Sequence, residues 1–101
     1  MTDLILPLKR EYFEAIKAGT KTKEYRLCNP YWRARLINVH NILYDEPRQF
    51  DRVILTLGYP RGDAAERRIV RPWRGYTIKT ITHPHFGPEP VHVYAIDVRP
   101  E

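Results

Sequence analysis

The residues best suited to chemistry stand in one octapeptide, Gly19-Thr20-Lys21-Thr22-Lys23-Glu24-Tyr25-Arg26. If this segment is extended, Glu24 and Arg26 project to one face of a strand, and Lys21 can curl over the same pocket. A guanidinium oriented by a carboxylate would hold an anion such as phosphate there. Burial would also lower the pKa of Lys21 toward the range useful for proton transfer or nucleophilic attack. The simpler alternative is a surface ion pair worth less than about 1 kcal/mol.

A second candidate is the basic segment from Arg67 to Pro88, which contains no acidic residue. Residues 1–66 carry a net charge of +2 and residues 89–101 a net charge of −2, so this segment supplies charge equal to the whole excess of +5. Aromatic residues are mixed with the basic ones, a composition that suits contacts with phosphates and bases. The alternative is a solvated basic strand. The candidate nucleic-acid contacts are Arg26, Arg68, Arg71, Arg74, Tyr76 and Lys79.

The octapeptide matches the signature of the ASCH family, Gly-x-Lys-x-x-Glu-x-Arg, at Gly19, Lys21, Glu24 and Arg26. The preceding segment, Glu-Ala-Ile-Lys-Ala-Gly-Thr-Lys, and the order of the later strands also resemble the family, so the resemblance spans most of the chain. It implies an α+β fold of the PUA-like superfamily, a small, mostly antiparallel β-barrel with a helix after the first strand and a second short helix. It also implies a cleft lined by the first helix and the signature turn.

The resemblance implies several activities. ASCH domains are expected to bind RNA or act on it, and some members resemble ribonucleases. In a ribonuclease, Lys21, Glu24 and Arg26 would supply the acid, the base and the cation that phosphodiester cleavage needs. Other members are amidohydrolases that deacylate N4-acylcytidine-type nucleosides, with the signature lysine, here Lys21, as the catalytic residue.

Two of the three parts of the amidohydrolase site differ in this sequence. The hydroxyl residue of that site falls at the signature glutamate, here Glu24. Its glutamate comes from the C-terminal half, where residues 67–88 contain no carboxylate and Glu66 or Glu89 would have to substitute. Binding of RNA or a nucleotide requires no catalytic residues, so we rank it first. Lys21 and Glu24 are then the candidate catalytic residues of a ribonuclease, and an amidohydrolase is the alternative.

Three other groups of residues are weaker candidates. His83 and His85 share a face if extended, but no neighbouring carboxylate or thiolate completes a metal site, so we expect no metal or cofactor. Arg26 would lower the pKa of the Cys28 thiol, yet a lone cysteine is usually a packed small hydrophobic residue. The segment Tyr31-Trp32-Arg33-Ala34-Arg35 places two rings and two arginines on a short helix. One ring should lie in the core, and the arginines should cover the cleft or face water.

The elements that position these residues follow from periodicity and turn residues. We predict strands at 4–8, 21–27, 51–58, 67–71, 76–82 and 91–98, and irregular structure at 38–49 and 83–90. Residues 9–18 predict a helix with Tyr12, Phe13 and Ile16 on its apolar stripe, ended by Gly19 in a left-handed conformation. Asn29-Pro30 predicts the start of a second helix, over residues 31–36. Pro7 lacks a backbone donor, which favours a barrel edge for the first strand.

Length and composition bound the remaining possibilities. A chain of 101 residues is expected to form one domain over residues 1–101. Its single cysteine excludes an internal disulfide. No apolar run approaches the ~20 residues that a membrane span needs, and the sequence does not begin like a signal peptide. We therefore expect a cytoplasmic protein that binds RNA, a nucleoside or a nucleotide and no membrane, with its oligomeric state open.

Overall fold

The computed structural model describes residues 2–39, 45–62 and 64–100. Its elements in chain order are β1 (Asp3–Leu8), α1 (Arg10–Lys17), β2 (Lys23–Leu27), α2 (Pro30–Leu36), β3 (Ile37–Val39), β4 (Asp45–Pro47), β5 (Arg52–Leu57), β6 (Arg68–Pro72), β7 (Tyr76–Ile81) and β8 (Val91–Asp97), with 3-10 turns at Ala65–Arg67 and Pro84–Phe86. This order confirms the α+β class. The prediction of irregular structure for 38–49 was wrong for residues 38–39 and 45–47, because β3 pairs with β4; residues 48–49 are irregular as predicted. Its central residues, 40–44, lie outside the described ranges.

The chain divides into two compact units. The first contains residues 1–23, 50–74 and 97–101, and the second contains residues 24–49 and 75–96. The single domain predicted for residues 1–101 concerns how the whole chain folds, and it stays a prediction.

The first unit is built on a sheet with strand order β1-β5-β6. Strand β1 runs parallel to β5 and lies at the sheet edge, the position that Pro7 indicated, while β6 is antiparallel to β5. Helix α1 packs on β5. The buried core consists of Leu4, Leu6, Leu8, Phe13, Ile16, Val53, Leu55, Ile69 and Val98. Because β5 is the central strand, Thr56 on its other face is also buried.

Gly19 ends helix α1 as predicted, with φ at +83°. The chain then turns back on the helix: the Gly19 amide donates to the carbonyl of Ile16, and the Thr20 and Lys21 amides donate to the carbonyl of Ala15. These bonds satisfy carbonyls that would otherwise lack partners at the helix end. The first three residues of the signature therefore form the C-terminal cap of α1.

Replacing Gly19 with alanine should destabilise the protein by about 1–2 kcal/mol, the cost of a left-handed conformation for a residue with a Cβ atom. Crowding adds little, because a Cβ atom would lie 3.8 Å from Cγ of Pro100. Urea unfolding measures the change. Gly19→Asn should lose less, since asparagine tolerates this conformation. An alanine variant as stable as wild type would contradict the prediction.

The second unit is built on a sheet with strand order β2-β8-β7. Strand β7 is antiparallel to β8. The Cys28 amide donates to the His92 carbonyl and the Val98 amide to the Thr22 carbonyl, which makes β2 antiparallel to β8 as well. Helix α2 starts where Asn29-Pro30 predicted it, and the Asn29 side chain accepts from the Trp32 amide at 2.9 Å. Among the residues of this unit that the structure describes, Glu24, Leu36, Val93, Tyr94, Ala95 and Ile96 are buried.

Candidate nucleic-acid site

One face of the sheet β2-β8-β7 brings together residues that are far apart in sequence. The register places Glu24, Ile96 and Tyr76 in one row across the three strands. Arg26, Tyr94 and Ile78 form the next row, and Cys28, His92 and Thr80 form the third. The first row contains buried Glu24 and Ile96, whereas all three members of the last row are exposed. Arg26 therefore stands where the core of this unit meets solvent.

Glu24 and Arg26 form the ion pair that their spacing predicts, and in this pair Glu24 is buried and Arg26 is half-buried. Their side chains are only 6% and 16% exposed. The same guanidinium nitrogen that contacts the Glu24 carboxylate also donates to the Tyr25 carbonyl at 3.0 Å. The guanidinium carbon lies 5.2 Å from the ring centroid of Trp32 on α2. A carboxylate, a carbonyl and an aromatic face thus fix the arginine in one orientation.

Helix α2 extends this arrangement toward solvent. The rings of Tyr31 and Trp32 meet edge to face, with centroids 5.1 Å apart. The Arg35 guanidinium carbon lies 5.4 Å from the Tyr31 ring and 5.7 Å from the Trp32 ring. Tyr31 is 60% exposed and Trp32 is half-buried. Neither ring belongs to the buried core, so the prediction that one of them lies there was wrong.

Lys21 belongs to the first unit, whereas Glu24 and Arg26 belong to the second. Its ammonium nitrogen lies 5.4 Å from the ring centroid of Tyr12 on α1. This cation–π contact joins the signature lysine to the half-buried tyrosine of the apolar stripe. The convergence of Lys21 with the Glu24–Arg26 pair stays a prediction.

The predicted basic strip does not form one face of β6. Register with β5 puts Arg71 on the side of Ile69, which is buried, and Arg68 on the opposite side. The Arg71 guanidinium donates to the carbonyls of Ile16 and Val98, each at 3.3 Å. Arg68 and Arg74 also donate to backbone carbonyls, those of Ala64, Pro60, Arg99 and Pro100. These three arginines therefore form hydrogen bonds to the backbone of the first unit.

The two predicted contacts on β7 lie on opposite faces of their strand. Tyr76 shares its face with Arg26, is half-buried, and meets the ring of Tyr94 edge to face at 5.1 Å. Lys79 is exposed on the other face, opposite Val93 in the register. Tyr76 therefore belongs to the same surface as the Glu24–Arg26 pair, and Lys79 does not.

Of the histidines that the structure describes, His85 and His92 are exposed and His83 is half-buried. Nδ1 of His83 accepts a hydrogen bond from the His85 amide at 3.1 Å, which caps the turn at Pro84–Phe86. Across the described ranges, no three His, Cys, Asp or Glu side chains are grouped so that they could hold a metal ion. Nδ1 of His92 lies 2.9 Å from Oγ1 of Thr80. Periodicity alone could not reveal this contact, because the two residues lie on different strands.

Cys28 is exposed, so the expectation that it packs as a small hydrophobic residue was wrong. It lies just beyond the end of β2, where the exposed row of the sheet begins. Partial burial of its sulfur raises the pKa of the thiol, and a hydrogen bond with Tyr94 offsets this only in part. The proximity to Arg26 in sequence therefore does not lower the pKa of this thiol.

The chain matches no protein-family model, no curated protein and no solved structure. Helices α1 and α2 contain eight and seven residues, and no helix in the described ranges is long and apolar enough to cross a membrane. The functional argument therefore depends on the geometry of the residues described above.

Proposed function

We propose that this protein binds RNA or a nucleotide as a member of the ASCH family, on a small, mostly antiparallel PUA-like barrel. The observation that carries the proposal is the Glu24–Arg26 pair, with its carboxylate buried and its guanidinium over Trp32. Two of the four signature residues thereby belong to one preorganised group. That group combines a fixed cation with an aromatic ring, and these are the components from which contacts to phosphates and bases are made.

Energetics supports a functional reason for this pair. Taking two charges out of water costs several kcal/mol for each ion, and apolar side chains of similar volume are often at least as stabilising. Stability alone would therefore be served equally well by apolar side chains at these two positions. The position of this pair beside a solvent-exposed surface therefore favours a role in binding. The exposed row of the same sheet face and the arginines of α2 supply such a surface.

Binding to RNA should weaken steeply as salt is added, because the contacts replace counterions on the phosphates. If three phosphates are neutralised, the affinity for a single strand should fall about 20-fold between about 50 and 200 mM salt. Fluorescence anisotropy of a labelled RNA of about eight nucleotides, within the usual range of site sizes, measures this. Polyglutamate serves as the control. Displacement of RNA by polyglutamate at equal charge concentration would instead indicate an acidic protein partner.

Chromatography of the same RNA, and of N4-acetylcytidine, tests whether binding is accompanied by turnover. We expect both compounds to be recovered intact after incubation with the wild-type protein. RNA cleavage that is lost in Lys21→Ala would make the protein a ribonuclease, with Lys21 and Glu24 as the candidate acid and base. Release of acetate that is lost in the same variant would make it an amidohydrolase.

A further inference from the structure

We infer that the exposed surface of α2 stacks one unpaired nucleobase on the ring of Tyr31, with Arg35 as the cation beside it. This inference rests on the proposed RNA binding. It adds the class of nucleic acid that is recognised, a single strand whose bases are accessible. It also names two residues outside the ASCH signature as the binding residues.

Tyr31 is exposed and yet held in a defined orientation. The residue is 60% exposed, and its ring meets Trp32 edge to face with an interplanar angle of 88°. The helix that presents it begins at a capped position, because the Asn29 side chain accepts from the Trp32 amide. A tyrosine has few rotatable bonds, so a base that stacks on it immobilises little further conformational freedom. These features favour a platform for a flat aromatic ligand.

Arg35 is positioned by the faces of two rings and not by hydrogen bonds. Its guanidinium lies within 5.7 Å of both the Tyr31 and the Trp32 centroids. Across residues 2–39, 45–62 and 64–100, no group accepts a hydrogen bond from it. Stacking leaves the in-plane N–H groups of a guanidinium able to donate. Arg71, by contrast, donates to backbone carbonyls.

The charge of the helix favours a nucleic acid as the ligand. The segment Pro30–Leu36 contains Arg33 and Arg35 and no acidic residue. A single-stranded nucleic acid supplies both a phosphate for the guanidinium and an exposed base for the ring. In a duplex the bases are stacked on each other and cannot reach an aromatic side chain on a protein surface.

The test compares wild type with Tyr31→Ala on two labelled strands of about eight nucleotides, one of RNA and one with the same backbone but no bases. On RNA, the variant should bind roughly 5- to 150-fold more weakly, the effect of losing one stacked base. On the abasic strand the two proteins should bind equally. Arg35→Lys should weaken RNA binding about 2- to 5-fold, since it keeps the charge but loses the planar stack.

Two variants serve as controls. Tyr31→Phe keeps the ring and should bind RNA as wild type does. Tyr59→Ala removes a ring that is 90% exposed in the first unit and should leave the affinity unchanged. Circular dichroism checks that each variant is folded.

The outcomes separate this inference from the function on which it rests. Salt-dependent RNA binding by wild type that Tyr31→Ala leaves unchanged overturns the platform and keeps the proposed function. The same holds if Tyr31→Ala weakens binding to the abasic strand as much as to RNA. Failure of wild type to bind RNA overturns both. Equal displacement of RNA by polyglutamate also overturns both, in favour of a protein partner.

Discussion

Replacing Glu24 with alanine is expected to lower the free energy of unfolding by about 3–5 kcal/mol, because it removes a buried carboxylate that pairs with the Arg26 guanidinium. Solvent compensates for little of this loss, since the Arg26 side chain is only 16% exposed. Urea unfolding at neutral pH measures the change. A loss below about 1 kcal/mol would mean that the pair behaves like an exposed ion pair, and the energetic argument for the site would fail.

A double substitution separates the stability of this pair from its function. Glu24→Leu with Arg26→Met replaces both charges by apolar side chains of similar length. Its stability should return to within about 1–2 kcal/mol of wild type, because the two paired charges are removed together. Its affinity for RNA should not return, since the fixed cation is gone. A double variant that binds RNA as well as wild type would show that the pair has only a structural role.

The sequence predicted the elements whose signals are local. Asn29-Pro30 contains the capping side chain and the proline that start α2, and Gly19 is the residue type that ends α1. Glu24 and Arg26 stand two residues apart on an extended segment, so their pairing on one face also followed from spacing alone. Each of these features depends on neighbours within a few residues, and these are visible in one sequence.

Features that depend on distant partners could not be predicted in the same way. The basic residues of 67–79 looked like one strip because charge was counted along the chain and not by strand face. Arg71 points to the buried side of β6 and binds the carbonyl of Ile16, which is 55 residues away. The three-residue strands β3 and β4 are too short to show any periodicity. They exist because each pairs with the other.

The binding residues proposed on α2 also depend on contacts that the sequence does not show. The sequence showed two rings and two arginines and left open whether the arginines cover the cleft or face water. Only the structure shows that Arg35 lies against both rings, whereas Arg71 and Arg74 donate to carbonyls. The binding residues proposed for α2 therefore follow from how each guanidinium is held. A count of charges along the sequence would have favoured residues 67–79, which contain more arginines than α2.

Replacing Asp97 with asparagine should lower the free energy of unfolding by about 2–3 kcal/mol at neutral pH, through the loss of charge-assisted hydrogen bonds. The Asp97 carboxylate is buried and accepts from the Arg99 amide at 3.1 Å and from Arg99 Nε at 3.0 Å. The ammonium of Lys23 lies 3.8 Å away. Asp3→Asn is the matched control, because Asp3 pairs with Arg52 through two hydrogen bonds but is more exposed. It should change the stability much less.

The effect of Asp97→Asn should depend on pH with a defined sign. Burial raises the pKa of Asp97, but the hydrogen bonds from Arg99 and the charges of Lys23 and Arg99 outweigh it, so the pKa lies below its ordinary value. The unfolded chain therefore binds this proton at a higher pH than the folded protein does. The stability from Asp97 is fully present above the ordinary carboxylate pKa of about 3.9 and is lost as pH falls through the folded value. Urea unfolding at about pH 7 and about pH 3 should show the difference between wild type and Asp97→Asn shrinking in acid. A difference that stays constant would mean that Asp97 stabilises the protein through packing and not through its charge.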